Sequence, residues 1–187
     1  LLGTGNLARF LIRAHASVRP LKKILLWGRT KANAEAVVAD MQKELPDIEF
    51  VVADDIQTAC GQADIVVAAT GSPDILVQGD WIKEGTHTDF LGNHHADKRE
   101  CDTALVVKSK VYLDTYVNCF NEAGEVLVPI EEGVLKKEDV KGELAELCMA
   151  KVKGRESDSE ITLFKSVGSA LSDLVGANHA FQSLSKS

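Results

Sequence analysis

The residues that most clearly indicate a chemical function lie at the start of the chain. Gly3, Gly5 and Ala8 form a G-x-G-x-x-A pattern between an apolar residue pair and a helical stretch. In dinucleotide-binding turns the first glycine allows the tight turn, the second lets the backbone approach a pyrophosphate, and the small third residue lets helix and strand pack closely. The alternative is a glycine-rich turn without a ligand. A second apolar strand follows at residues 24–27, and this context favours a nucleotide site.

The end of that second strand indicates which nucleotide is bound. NAD-binding chains place an Asp or Glu about 20 residues beyond the glycines, whereas an Arg there accommodates a 2′-phosphate. This chain has Gly28, Arg29, Thr30 and Lys31 and no carboxylate. Arg29 can donate two hydrogen bonds to phosphate oxygens, and the Thr30 hydroxyl can donate another. The sequence therefore favours NADPH, with NADH possible; the alternative is that Arg29 and Lys31 are ordinary solvated residues.

A polar loop at residues 92–100 contains the best candidates for proton transfer. His94 and His95 follow a predicted strand, and histidine is the residue type most often used to donate or accept protons in catalysis. Alternatively, the His pair faces solvent, and Lys98, Arg99 and Glu100 form a surface ion-pair cluster. No third ligand at usable spacing accompanies the histidines, so we expect no metal site.

These groups require strands and helices that bring their loops together. Strands are predicted at residues 24–27, 49–53, 64–70, 86–91, 111–114 and 161–164, with residues 126–130 also extended, and helices at 7–14, 33–43, 55–60, 118–124, 142–151 and 169–181. The alternation predicts an α/β fold: a Rossmann-type, doubly wound, mostly parallel sheet with helices on both faces. Ligands then lie beyond the carboxyl ends of the strands, in the loops at residues 3–7, 28–31, 70–73 and 92–100.

Composition excludes several classes of protein. The 187 residues are 45% apolar and 26% charged, which is typical of a globular domain. The formal net charge of −7 argues against nucleic acid as a partner. The sequence shows no signal peptide, spanning segment or lipidation motif, so we expect a cytoplasmic protein without membrane contact. Four scattered cysteines are expected to be reduced and mostly buried: Cys60, Cys101, Cys119 and Cys148.

Several segments together resemble the ornithine cyclodeaminase/mu-crystallin family. The most specific block reads Glu-Ile-Thr-Leu-Phe-Lys-Ser-Val-Gly at residues 160–168, and others lie at residues 3–5, 27–30, 63–66, 81–87 and 98–100. The resemblance covers essentially the whole chain. It implies a cofactor site made of Gly3, Thr4, Gly5, Asn6, Leu7, Gly28, Arg29, Thr30, Asn33, Ala68, Ala69, Thr70, Leu91, Asn93 and Ser166.

The resemblance also implies a domain organisation. Family members carry an N-terminal region for substrate binding and dimerisation, and the first strand here begins only one or two residues before Gly3. Residues 1–168 are therefore expected to form the NAD(P)-binding domain with a truncated first strand. Residues 169–187 are expected to form a helix that returns to the N-terminal region, through which the protein forms a homodimer.

Position 94 bears on the reaction. Cyclodeaminases and alanine dehydrogenases of the family have Gly-Ala-Asp at the position of Gly92, Asn93 and His94, and that Asp is their catalytic group. His94 replaces it here, which favours an NADPH-dependent oxidoreductase acting on a cyclic imino acid: a ketimine reductase of proline metabolism that converts Δ1-pyrroline-2-carboxylate or Δ1-piperideine-2-carboxylate into L-proline or L-pipecolate. A cyclodeaminase or amino-acid dehydrogenase, and a non-catalytic crystallin-like NADPH-binding protein, remain alternatives. His94 is the candidate catalytic residue, although mu-crystallin-like reductases with a small residue there favour a supporting role.

Overall fold

The computed structural model describes residues 1–185, in which short parallel strands alternate with helices. The strands are β1 (Lys23–Leu26), β2 (Glu49–Val52), β3 (Ile65–Ala68), β4 (His87–Phe90), β5 (Lys110–Leu113), β6 (Gly142–Glu143) and β7 (Thr162–Lys165). The helices are α1 (Leu7–Val18), α2 (Lys31–Glu44), α3 (Ile56–Gln62), α4 (Thr103–Lys108), α5 (Tyr116–Glu122), α6 (Gly124–Glu131), α7 (Leu144–Cys148) and α8 (Ala170–Leu184).

Leu2 lies at the centre of the sheet. The strands pair in the orders β2-β1 and β3-β4-β7-β5-β6, and every pair is parallel. Leu2 makes parallel bridges to Trp27, next to β1, and to Ala68, at the end of β3. It therefore takes the place of a strand between β1 and β3. The strand order reverses there, which is the switch point of a doubly wound sheet, and the predicted fold class is confirmed.

Two apolar cores cover the two faces of the sheet. Ile24 and Leu26 of β1 pack with α1 and α2, and the partly buried Leu1 joins this core. Leu2 belongs to the other core, with side chains from β3, β4, β5, β7 and helices α3 to α6. Adjacent residues of an extended segment face opposite sides, so the two cores lie on opposite faces. Each fully buried aliphatic side chain contributes about 1.5–3 kcal/mol.

The prediction that residues 126–130 are extended was wrong. They lie in α6, although Val126, Val128 and Ile130 are typical strand residues and Pro129 removes one helical hydrogen bond. Val126 is fully buried in the core shared with α4 and α5. Tertiary packing of this short helix therefore outweighs the β-propensity of its residues.

Two other boundaries differ from the sequence prediction. Helix α4 was not predicted from the sequence; it contains Val106 and Val107, whose β-branched side chains favour strands. The Asp102 side chain begins it by accepting hydrogen bonds from the backbone N–H groups of Leu105 and Gly79, both at 2.9 Å. The helix expected at residues 142–151 is only five residues long, since the chain first pairs with β5 as β6.

The last helix has no covered face within the described residues. No side chain of α8 is buried, although Leu171, Leu174 and Phe181 are large and apolar. The prediction that residues 169–187 pack on a further region stays a prediction, and residues 186–187 lie outside the described part. No helix within residues 1–185 has the length and apolar character needed to cross a bilayer.

Candidate functional site

The glycine turn lies at the switch point, directly after Leu2. Gly3 has φ +112°, and a Cβ there would stand 2.5 Å from the carbonyl oxygen of Ala69. This position therefore requires glycine, for its backbone conformation and for the close approach to β3. A Cβ on Gly5 would meet nothing within 4 Å, so open space lies over the start of α1. Asn6 precedes that helix without capping it through its side chain, and Leu7 is exposed.

The end of β1 lies against the same turn. A Cβ on Gly28 would stand 2.5 Å from Cγ2 of Thr4, so the glycine brings the two loops together. Arg29 and Thr30 are exposed, and Thr30 begins α2 without a side-chain capping bond. Lys31 is paired with Asp54 at 2.7 Å, whereas Arg29 forms no side-chain bond to any residue from 1 to 185. Arg29 is thus the cation of this loop that is available to a ligand.

Glu100 joins the loops that follow β3 and β4. Its Oε1 accepts hydrogen bonds from the Thr70 backbone N–H at 2.8 Å and from the Thr70 hydroxyl at 2.7 Å. Its Oε2 accepts from the Gly92 N–H at 2.7 Å. A Cβ on Gly92 would overlap the Thr70 backbone, so glycine is needed for this contact. Burial raises the pKa of Glu100, while the bonds from Thr70 and Gly92 and the charge of Lys165 act against that rise.

A buried ion pair between Lys165 and Glu125 holds Glu100 and Asn93 in place. Lys165, at the end of β7, places Nζ 2.9 Å from Glu125 Oε2 and donates to the Asn93 carbonyl at 2.6 Å. Glu125 Oε1 accepts from the Glu100 backbone N–H at 2.9 Å. The side chains of Glu100, Glu125 and Lys165 have 0% exposure. The interpretation of residues 98–100 as a surface ion-pair cluster was therefore wrong for Glu100, whose carboxylate has buried partners.

Sequence reasoning missed Glu100, Glu125 and Lys165 as members of the site. Apart from the bond between Gly92 and Glu100, their contacts join residues 25 to 72 positions apart, which local patterns do not encode. One signal was present in the sequence: the apolar segment Ile-Thr-Leu-Phe at residues 161–164 ends in a lysine. A cation at the carboxyl end of a buried parallel strand requires an anionic partner.

The two histidines lie at the exposed tip of the loop. The His94 ring stacks on that of His95 with 4.6 Å between centroids, and both residues are exposed. Asn93 is buried and donates from its side-chain amide to the Ser72 carbonyl at 3.0 Å. Within residues 1–185, no three His, Cys, Asp or Glu side chains are grouped so as to hold a metal ion.

The other predicted cofactor-binding residues occupy the surrounding strand ends. Ala68 is buried, and its carbonyl accepts from the Leu91 N–H at 2.9 Å. The Ser166 hydroxyl donates to Asp114 Oδ2 at 2.9 Å, and Asn33 is exposed on the first turn of α2. The glycine turn, the Arg29 loop and the two loops joined by Glu100 thus meet at one edge of the sheet. Their assignment as cofactor contacts remains a prediction.

Comparisons with known proteins agree with this geometry. A Δ1-pyrroline-2-carboxylate reductase from Colwellia psychrerythraea is 42% identical over 184 residues, which cover 98% of this chain and 58% of the relative. The structure of the Thermococcus litoralis Δ1-pyrroline-2-carboxylate reductase in complex with NADH and L-proline superposes with a TM-score of 0.93 at 37% identity, covering 97% of this chain and 56% of that one.

A third similar protein is an archaeal alanine dehydrogenase dimer with bound NAD. It has a TM-score of 0.90 and 29% identity, over 99% of this chain and 57% of that one. The chain thus spans somewhat more than half the length of the relatives it matches. The model of the ornithine cyclodeaminase/mu-crystallin family matches residues 1–187, and the chain belongs to that family.

Proposed function

We propose that this chain is the nucleotide-binding part of an NADPH-dependent reductase of cyclic ketimines. Its substrate would be Δ1-pyrroline-2-carboxylate or Δ1-piperideine-2-carboxylate, reduced to L-proline or L-pipecolate. The observation that carries the proposal is the open glycine turn at the switch point, facing loops whose exposed tip holds His94 instead of the family's catalytic Asp. The similarity to proteins named Δ1-pyrroline-2-carboxylate reductase supports it.

The described residues fit a dinucleotide. The first turn of α1 and the open space at Gly5 would hold the pyrophosphate, because N–H groups and the helix dipole favour anions there. Thr70 and Gly92 lie on the two loops that would flank the nicotinamide ring. When bound, the reduced cofactor supplies the hydride.

The chemistry asked of the protein is modest. A protonated cyclic imine next to a carboxylate is already electrophilic, so the hydride forms a new C–H bond and the C=N electron pair moves to nitrogen. The nitrogen already carries its proton, and the protein must chiefly orient the two reactants. It need not remove an amine proton and release ammonia, the step for which the Asp of the family is suited.

Arg29 supports the NADPH preference. It is exposed, has no partner within the described residues, and lies where a 2′-phosphate would be placed, while Asp54 already neutralises Lys31. The Thermococcus litoralis relative was solved with NADH, so NADH is the competing cofactor.

The test is an assay of the protein made from its full coding sequence. We expect NADPH oxidation, followed at about 340 nm, to match the formation of L-proline or L-pipecolate from its imine. Gly5→Asp should abolish turnover by placing a negative charge where the pyrophosphate binds. Gly154→Asp is the matched control, because that glycine is also free of close neighbours but lies far along the chain. Absence of turnover on both imines, together with ammonia release from ornithine, would reverse the assignment.

A family dehydrogenase or cyclodeaminase is the second candidate. The 29% identity and 0.90 TM-score to the archaeal alanine dehydrogenase favour it. A crystallin-like protein that only binds NADPH is the third candidate, and measurable nucleotide binding without turnover on any imine or amino acid would identify it. We further propose that the protein is a cytoplasmic homodimer. Its substrate carboxylate would be bound by a further, N-terminal region, and the greater length of the relatives supports the existence of such a region.

A further inference from the structure

Glu100, Glu125 and Lys165 form a buried carboxylate–lysine network. We propose that this network holds two loops at a fixed distance from each other: the loop after β3 and the loop after β4, which would face the nicotinamide. This inference rests on the proposed function for the identity of those loops. Its members are positioning residues, because they act through the backbone of Thr70, Gly92 and Asn93.

The first argument is that the network bonds both loops. The carboxylate of Glu100 takes three donors, two from Thr70 after β3 and one from Gly92 after β4. A carboxylate can accept at both oxygens at once, whereas its amide isostere cannot. A single buried carboxyl group therefore sets the distance between the two loops.

The second argument is that Lys165 fixes the segment that leads to His94. Its Nζ donates at 2.6 Å to the carbonyl of Asn93, whose side-chain amide in turn donates to Ser72 in the other loop. The strand register places Lys165 beside Phe90, the last residue of β4. The lysine thus connects a central strand of the sheet to Asn93, the residue that precedes His94.

The third argument is the cost of burying these charges. Glu125 and Lys165 are fully buried, and Glu125 Oε2 lies 2.9 Å from the ammonium of Lys165. Apolar residues of similar volume often replace such buried pairs without loss of stability. Stability alone therefore does not explain the network, whereas accurate placement of two loops does.

The test uses the protein made from its full coding sequence, with the double substitution Lys165→Met/Glu125→Gln. The two charges of the Glu125–Lys165 ion pair disappear together, Glu100 keeps its three donors from Thr70 and Gly92, and a Gln oxygen can still accept from the Glu100 N–H. We therefore expect a melting temperature close to that of the wild type. We expect the Kd for NADPH to change less than about threefold, whereas kcat for the imine falls at least about tenfold, because small misplacement of reacting groups is costly.

Hydrogen exchange gives a readout that does not depend on turnover. Peptides covering residues 69–73 and 91–95 should exchange faster in the double variant, while those covering β4 and β7 should not change. Glu100→Gln is the second variant, since its amide nitrogen cannot accept from Thr70 or Gly92. Glu132→Gln is the matched control: that carboxylate follows α6, and within residues 1–185 its polar partners are Arg99 and Thr103.

Each outcome decides the inference. A folded double variant with wild-type kcat and wild-type exchange in both loops would show that the network only fills the core. If the wild-type protein binds NADPH but reduces neither imine, the proposed function fails. The exchange of residues 69–73 and 91–95 then still decides whether the network positions the loops.

Discussion

At the scale of single residues, we expect Arg29 to control the choice of cofactor. Arg29→Asp should weaken NADPH binding by roughly 10- to 100-fold, because a charge-assisted phosphate contact is replaced by repulsion. NADH binding should change far less, and Lys31→Asp, which alters a cation already paired with Asp54, should discriminate little between the two nucleotides. Titration by nucleotide fluorescence measures both constants. Equal losses for NADPH and NADH in Arg29→Asp would mean that Arg29 only supports the fold.

His94 gives a second prediction at this scale. Its ring is exposed and stacked on His95, which fits a supporting role better than direct proton transfer. We expect His94→Ala to lower kcat for the imine by less than about tenfold, with NADPH affinity nearly unchanged. Loss of a general acid–base group typically costs about 100- to 10,000-fold. A loss in that range, with an altered pH profile, would instead assign the proton transfer to His94.

At the scale of elements, we expect the turn between Leu2 and α1 to contain one structural glycine, Gly3, and one ligand-binding glycine, Gly5. Gly3→Ala should lower the free energy of unfolding by about 1–3 kcal/mol, because its φ is positive and its Cβ would press on Ala69. Gly5→Ala should leave stability nearly unchanged yet weaken nucleotide binding about tenfold, since its space is open. Urea unfolding and nucleotide titration of both variants test this; similar stability losses in both would contradict it.

The same scale shows what the sequence could predict. The glycine turn and the strand ends at residues 28–31, 70–73 and 92–100 follow from local patterns, because turns and strand ends have residue signatures. The helical state of residues 126–130 does not, since burial of Val126 between helices decides it. Glu100 and Lys165 belong to the site through bonds that join distant parts of the chain, and no local pattern encodes those bonds.

At the scale of the whole molecule, burial should divide the cysteines by reactivity. Cys60, Cys101 and Cys119 are buried, whereas Cys148 is exposed. Burial raises the pKa of the Cys60 thiol to about 11 and also raises the pKa values of Cys101 and Cys119, which lowers their thiolate fractions. Alkylation of the native protein followed by peptide mapping should modify Cys148 first. Equally fast modification of Cys119 would contradict the described core.

The loop at residues 92–101 is held at both ends, whereas its middle, residues 94–97, is exposed. This difference indicates which positions could be varied to engineer the protein. Gly92 is pressed against Thr70, and Gly124 at the start of α6 is pressed against the Lys98 carbonyl. The positions between them, from His94 to Asp97, are exposed. A mutational library aimed at new substrates should therefore retain function when it varies residues 94–97 and lose it at Gly92, Asn93 and Glu100. Within this loop, we therefore expect new substrate preferences to arise by substitution at residues 94–97, whose side chains are not needed to hold the loop in place.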